Sequence, residues 1–331
     1  MREALRARRS LPPAGRRRAR GARRLAGRTG SAVAALALIA AASIALPASS
    51  ASAQARAVAT TPRVSAEAVL LLDLSTGKVL YEKNPEENRA PASLVKLMTL
   101  YVTYSAVRSG RVALSDPVVV SPNAMRTARF RMGLVAGQVV PLDTLLAAVA
   151  IASANDAATA VAEHVAGTEE AFVQRMNDEA ERMGLTQTVF VNPHGLPDPR
   201  GRLQRTTARD MAVLAEHLLQ DFPESRQLLG ETEFAWRGRL FRRRIPLFRD
   251  PGGVTALKTG FTLEAGYNIA VAAARTGQRL LCVVLGAETR GLSFVDARRL
   301  LKFGFGDSIS PAGHGGPRWR LRGRTGRSGG R

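Results

Sequence analysis

Cysteine is almost missing from this chain, and the single copy, Cys282, excludes any intrachain disulfide. It sits in the apolar run Leu280-Leu281-Cys282-Val283-Val284-Leu285, where a thiol is expected to be buried and inert. Histidine is scarce as well. His164, His194, His217 and His314 show no metal-ligand spacing, so no metal site and no other cofactor is expected. Lysine is the rare cation: five Lys stand beside 43 Arg. An arginine does not deprotonate in a protein, so any step that needs a neutral amine must fall to one of those five. Aromatic residues make up 5% of the chain. No basic face interleaved with aromatics is apparent, which argues against nucleic acid as a partner.

Acid is in short supply too, and the formal net charge is +21 over 331 residues. The excess is concentrated at the ends. Residues 1–53 carry 11 Arg and one Glu, and residues 318–331 carry six Arg and no acid, which leaves +5 for the body. The N-terminal stretch reads as an export signal. Its basic segment ends at Arg28, Ser31 to Leu46 is small and apolar, and cleavage is expected after Ala53 or Ala55. Arg8-Arg9 lies far from the apolar run, so ordinary secretion is favoured over twin-arginine export; an uncleaved signal anchor is the alternative. The body is expected to work outside the cytoplasm, in the periplasm or its equivalent. The remainder divides into a globular domain over 64–305 and a basic, disordered tail over 306–331.

Within the domain, Ala68–Asp73 and Lys78–Glu82 read as a hairpin around Thr76-Gly77. A helix is expected to begin near Ser93, after Pro91, and to run to about Val107. Ser115–Val120 is short and β-prone. The apolar stretch Leu142–Ile151 reads as a buried helix, broken at Ser153-Ala154-Asn155-Asp156 and resumed over Ala157–Val165. Polar groups forced inward at such a break need partners. Glu169–Met183 is an amphipathic helix, Thr188–Val191 a short strand, and Thr207 the N-cap of a helix with Asp210 in a capping-box position. Phe234–Leu240 and Arg244–Phe248 read as arginine-decorated strands. Lys258–Thr262, Tyr267–Ala274 and Arg279–Gly286 read as three more, and Ser293–Phe303 as a closing helix. Strands at both ends around a helical middle predict an α+β fold: one antiparallel sheet flanked by helices, with an inserted helical lobe forming a cleft.

Ser93 and Lys96 are three apart and share a helix face, the outline of a nucleophile with a neighbouring base. The spacing alone is weak, because Ser75-Thr76-Gly77-Lys78 repeats it at a hairpin tip. Three motifs nevertheless stand in order: Ser93-Leu94-Val95-Lys96, Ser153-Ala154-Asn155 and Lys258-Thr259-Gly260. Ser121-Pro122-Asn123 also satisfies Ser-x-Asn, but its proline and its place after a strand argue against a helix-break site. The ordered triple resembles the penicillin-recognising serine enzymes with the β-lactamase/DD-peptidase fold. Asn192-Pro193-His194-Gly195-Leu196 and Thr206-Thr207-Ala208-Arg209-Asp210-Met211 narrow the resemblance to the D-alanyl-D-alanine carboxypeptidases, the low-molecular-mass penicillin-binding proteins. It covers roughly residues 64–305.

The resemblance implies a peptidoglycan stem peptide as substrate and β-lactams as covalent inhibitors. Ser93 would attack the penultimate D-Ala carbonyl, and Lys96 would take the proton as a neutral amine, its charge disfavoured by burial and by Lys258. Ser153 and Asn155 would relay the leaving-group proton and hold the substrate amide. Lys258 and Thr259 would bind the terminal carboxylate, and Gly260 would let substrate backbone approach the strand. The N–H groups of Ser93 and Phe261 would form an oxyanion hole. Arg209 is assigned either to the carboxylate or to an ion pair with Asp210. Ala154 stands where the family usually has glycine. After Phe303 neither a carboxyl-terminal β-domain nor an amphipathic membrane helix is expected, and the arginine-rich tail is the segment expected to touch anionic envelope components. A β-lactamase is disfavoured because no Glu-x-x-Leu-Asn loop is present. A non-catalytic sensor that acylates and stops remains open.

Overall fold

The computed structural model describes residues 61–249 and 253–307; the expected export segment and the tail from residue 308 onward lie outside the described residues. Its centre is a five-stranded antiparallel sheet in the order β2-β1-β9-β8-β7. The strands are β1 (Ala68–Asp73), β2 (Lys78–Lys83), β7 (Val254–Thr262), β8 (Gly266–Arg275) and β9 (Gln278–Ala287). Two tight turns set the register. Gly77, at φ +69°, donates its N–H to Asp73 O and closes the first hairpin, and Thr276-Gly277, both at positive φ, closes the β8–β9 hairpin. Ser75 lies in the first of these turns, so the duplicate Ser-x-x-Lys is the hairpin tip that its context predicts.

The central strands are apolar on both faces because both are covered. Ala68, Leu70, Leu281, Val283 and Leu285 face the larger core, under α1 (Lys96–Arg108) and α6 (Ala208–Asp221). Val69, Leu71, Val271, Leu280, Cys282 and Val284 face the smaller one, under α8 (Arg290–Gly304). Cys282 is fully buried, and that burial pushes its thiol far up, so it stays protonated and inert as expected. The helical middle comprises a short pair of strands, β3 (Pro117–Val119) and β4 (Val139–Pro141), with α2 (Pro122–Arg126), α3 (Leu142–Ala147), α4 (Asn155–Ala166) and α5 (Glu169–Arg182). It packs against α1, which is buried almost all round. The chain returns through α6, α7 (Glu224–Gly230) and a hairpin, β5 (Glu233–Trp236) with β6 (Arg239–Arg242).

Several local expectations need correction. Phe234–Leu240 is not one strand: Arg237 and Gly238 take positive φ and fold it into the β5–β6 hairpin. Arg244–Phe248 is not a strand either. Pro246 has no N–H for a ladder, and the chain makes a 3-10 turn over Pro246–Arg249. Thr188–Val191 forms only a single bridge, Val189 to Arg205. Thr207 does cap α6, accepting from Asp210 N, but the Asp210 carboxylate turns to Gln187 N and Thr188 Oγ1. β4 was not foreseen.

The break in the helical middle is built differently from a simple interruption. After α3 the chain widens into a π-helical turn, Ala148–Ala152, and Ser153 takes the left-handed conformation at φ +54°. The polar residues that follow all find partners. Asn155 Nδ2 donates to Ala128 O and Arg129 O, each at 3.0 Å, and Asn155 N donates to Phe130 O at 2.7 Å. Asp156 is fully buried and accepts the N–H groups of Met132, Gly133 and Leu134 at 2.9–3.0 Å, as well as that of Ala157. One polar run therefore ties down the whole 128–134 segment. Removing the carboxylate would orphan three loop N–H groups. Asp156→Ala is expected to cost about 3 kcal/mol or more, read as a lower midpoint in urea unfolding; a loss under about 1 kcal/mol would show that the loop is held by something else.

Candidate active site

Ser93 does not open an α-helix as expected. It lies in a 3-10 turn, Ala92–Val95, and the α-helix begins only at Lys96. The cause is Ala92, whose φ of +48° is a left-handed conformation that a residue with a Cβ rarely adopts. Three neighbours hold the turn there. Asn268 Nδ2 on β8 donates to Ala90 O at 2.9 Å and Pro91 O at 3.2 Å. Gly195, at φ +88°, lies so close that a Cβ on it would sit 2.0 Å from Ala92 O. A Cβ on Gly260 would come within 2.8 Å of Ser93 N. The structure thus gives Gly260 a reason in addition to the one anticipated: its missing side chain lets the serine turn close onto β7.

Lys96 Nζ is completely buried and makes three contacts. It lies 2.7 Å from Asn155 Oδ1, 2.6 Å from His194 O and 3.1 Å from Ser93 Oγ. The first two atoms can only accept. Asn155 cannot turn its NH2 toward the lysine, because both of its donors are spent on Ala128 O and Arg129 O. A neutral amine has two N–H bonds and one lone pair. Both N–H bonds are claimed, so the lone pair is left facing the Ser93 hydroxyl. Burial, and next the charge of Lys258, hold the Lys96 pKa well below its ordinary 10.5, against a smaller opposing pull from Asp156.

Lys258, on β7 and also buried, donates to Ser153 Oγ at 2.8 Å and to Thr259 O at 2.9 Å. Burial, reinforced by Arg243, pushes its pKa down to about 7. Lys96 therefore gathers Ser93 and Asn155, Lys258 holds Ser153, and the charge of Lys258 acts on Lys96. Thr259 is half-buried beside them. Phe261 follows on the same edge strand, its ring partly exposed and stacked 4.3 Å from Tyr267.

Arg209 does not belong with these residues. Its guanidinium pairs with Glu82 at 2.9 Å and with Glu86, on the surface beside β2, and these partners raise its pKa. It makes no ion pair with Asp210 either, since that carboxylate is taken by Gln187 N and Thr188 Oγ1. Ser121 accepts from Ala124 N as the N-cap of α2, so the second Ser-x-Asn is a helix start.

Some residues that shape the site carried no such expectation. The loop over 192–196 presents His194 O to Lys96 and Pro193 O to Thr99 Oγ1, the latter at 2.6 Å. Asn192 Oδ1 folds that loop by accepting from His194 N and Gly195 N. Burial, and next Lys96, press the His194 ring down to about 3, so it is neutral. Arg243 Nη1 donates to Leu257 O at 2.8 Å, immediately before Lys258 in β7, while its other donors reach Glu231 O and Leu229 O. It is one arginine in a run of three, and nothing in the sequence distinguished it. Among the described residues no cluster of His, Cys, Asp or Glu is arranged to hold a metal.

A family model described as D-alanyl-D-alanine carboxypeptidase, peptidase family S11, matches residues 54–289. The chain is 40% identical over 251 residues to D-alanyl-D-alanine carboxypeptidase DacC of Escherichia coli (strain K12), covering 74% of this chain and 62% of that protein. It is 35% identical to DacA of Haemophilus influenzae over 74% of this chain and 63% of the relative, so it spans less than two thirds of the length of these two relatives. Penicillin binding protein 5 from Haemophilus influenzae superposes with a TM-score of 0.71 at 34% identity, covering 75% of this chain and 72% of the other. Penicillin-Binding Protein D2 from Listeria monocytogenes, in the ampicillin-bound form, superposes at 0.68 with 29% identity, over 74% of this chain and 99% of the other. The fold, the buried amine beside a serine and these likenesses agree: the chain belongs to the D-alanyl-D-alanine carboxypeptidase family of serine peptidases, peptidase family S11.

Proposed function

We propose that this chain is a serine-type D-Ala-D-Ala carboxypeptidase of the cell envelope, which removes the terminal D-alanine of peptidoglycan stem peptides through an acyl-enzyme on Ser93. The observation that carries the reading is the set of partners around Lys96 Nζ: two committed acceptors and one hydroxyl. In this reading the stem peptide lies along the edge strand β7. Lys258 and Thr259 hold its terminal carboxylate. Ser93 Oγ attacks the penultimate D-Ala carbonyl while its proton passes to Lys96 Nζ, and the Ser93 and Phe261 N–H groups receive the oxyanion. The proton then moves through Ser153 to the departing amine, the C–N bond breaks, and D-alanine leaves. Water adds to the ester, and Ser93 recovers its proton as the shortened peptide is released.

β-Lactams would acylate the same serine, consistent with the ampicillin-bound state of the Listeria relative. Domain 64–305 performs the chemistry. Residues 1–53 direct export, with cleavage after Ala53 or Ala55, and the basic tail over 306–331 contacts anionic envelope components weakly.

Two outcomes are expected. Incubated with penicillin, the protein forms a persistent adduct on Ser93, seen by intact mass, and it releases D-Ala from a D-Ala-D-Ala tripeptide. Rapid penicillin turnover would instead mark a β-lactamase, and an adduct without D-Ala release a sensor. Lys96→Arg, always charged, should slow acylation on the order of a thousandfold with an unchanged thermal melt; normal acylation would remove Lys96 from the mechanism.

The second outcome concerns pH. Catalysis needs Lys96 neutral and Lys258 charged, and the two amines repel, so the state holding one proton is the active one. kcat/KM should fall in acid as Lys96 takes a proton. It should fall again above about 7 as Lys258 loses the charge that grips the carboxylate. Lys258→Arg cannot deprotonate and should move the alkaline limb up by about one pH unit or more; an unmoved limb would assign it to another group.

A further inference from the structure

A cavity of about 160 Å³ lies beside the serine turn. Three segments form its walls: Ala90–Ala92, which lead into Ser93, the loop over 195–204, and the end of β7 at Thr262 with Glu264 in the turn after it. None of the residues assigned a chemical step lines it. Leu196, Pro197 and Leu203 give the loop wall apolar surface. The charged lining residues are Asp198, Arg202 and Glu264. Two of them are spent on each other: Arg202 Nε donates to Asp198 Oδ2 at 2.7 Å, and its Nη2 donates to Asp198 Oδ1 at 3.3 Å. Glu264 is exposed and makes no hydrogen bond or ion pair among the described residues.

The place of the cavity along β7 says what reaches it. In the proposed reaction the terminal carboxylate lies at Lys258 and Thr259, and the penultimate carbonyl lies at Phe261 N. The peptide therefore runs back along β7 toward Thr262. A peptide beside a strand advances about 3.3 Å per residue. The residue before D-Ala-D-Ala thus comes level with Thr262 and the turn that carries Glu264. The cavity has the space of roughly five water molecules, which is that of four methylenes and an ammonium group. Its apolar wall suits the methylenes, and Glu264 is the charged lining group free to meet the ammonium. We infer that this cavity receives the side chain of the stem residue preceding D-Ala-D-Ala, and that Glu264 selects a side chain ending in an ammonium group. The placement rests on the proposed function, because its direction is taken from the D-Ala-D-Ala end held at Lys258. Glu264 is a specificity residue in this account and takes no part in the chemical step. An exposed ion pair is weak and sensitive to salt, so the methylenes should contribute more than the charge.

The test uses the full chain and a set of tripeptides, Nα-acetyl-X-D-Ala-D-Ala, in which X is glycine, norleucine, Nε-acetyl-lysine or lysine. D-Ala release gives kcat/KM for each. Norleucine should exceed glycine roughly tenfold. Lysine should exceed Nε-acetyl-lysine about fivefold, and only that second ratio should shrink in high salt. Glu264→Gln should bring the lysine ratio to about one, and Glu264→Lys should invert it, while the norleucine-to-glycine ratio holds in both. Each result is a ratio within one protein, so a variant that is merely damaged loses on every substrate alike and keeps its ratios. Equal rates for glycine and norleucine would overturn the cavity as a subsite. An unchanged lysine ratio in Glu264→Gln would overturn the role of Glu264. If the substitutions unfold the protein, the salt dependence of the wild-type lysine ratio decides: a ratio that does not move with salt overturns the ion pair. D-Ala release from none of the tripeptides would overturn the proposed activity and this inference with it.

Discussion

The site depends on one buried lysine amine held against a serine hydroxyl. Around Lys96 Nζ, Asn155 Oδ1 and His194 O consume two N–H bonds, and the remaining direction points at the Ser93 hydroxyl. Full burial removes the water that would otherwise solvate an ammonium, and a second buried amine nearby makes that charge costlier still. Electrostatics therefore favour an uncharged amine, and for such an amine the geometry turns the lone pair toward Ser93. Lys258, the second buried amine, sits on the edge strand β7 and donates to Ser153 Oγ.

Much of the remaining fold serves to hold that amine and hydroxyl together. Ala92 and Ser153, neither of them glycine, adopt left-handed backbone at the site. Such conformations persist only where the surroundings over-determine them. For Ala92 the surroundings are Asn268, Gly195 and Gly260, drawn from a strand, a loop and the edge strand. For Ser153 they include the π-helical turn before it and the buried Asn155 and Asp156 after it. The 192–196 loop has a double role, packing on the serine turn and supplying the carbonyl that fixes Lys96.

The broad architecture was legible in the sequence because its signals are local. The Thr76-Gly77 turn marked the first hairpin, and strands at both ends around a helical middle announced one antiparallel sheet flanked by helices. The motif residues were legible because their order and context are rare. What failed to show was whatever depends on distant partners. The hairpin at Arg237-Gly238 was read as one strand because arginine gives no turn signal of its own. Arg209 looked like a carboxylate ligand by resemblance, yet Glu82 and Glu86 from the first hairpin engage it. Gly260 was read as room for substrate, and only the folded chain shows that a Cβ there would also meet Ser93 N. Arg243 could not be told from its neighbours, since only the folded chain brings it beside Lys258.

The scarcity of lysine makes the central claim directly measurable. With five lysines in the chain, a protein labelled with carbon-13 at lysine Cε gives five resonances, and the one missing from Lys96→Met is that of Lys96. Followed against pH by NMR, this resonance should show an amine that is already neutral well below 10.5. A midpoint at the ordinary lysine value would mean a charged Lys96 beside Ser93, and the account of how the serine is activated would be wrong.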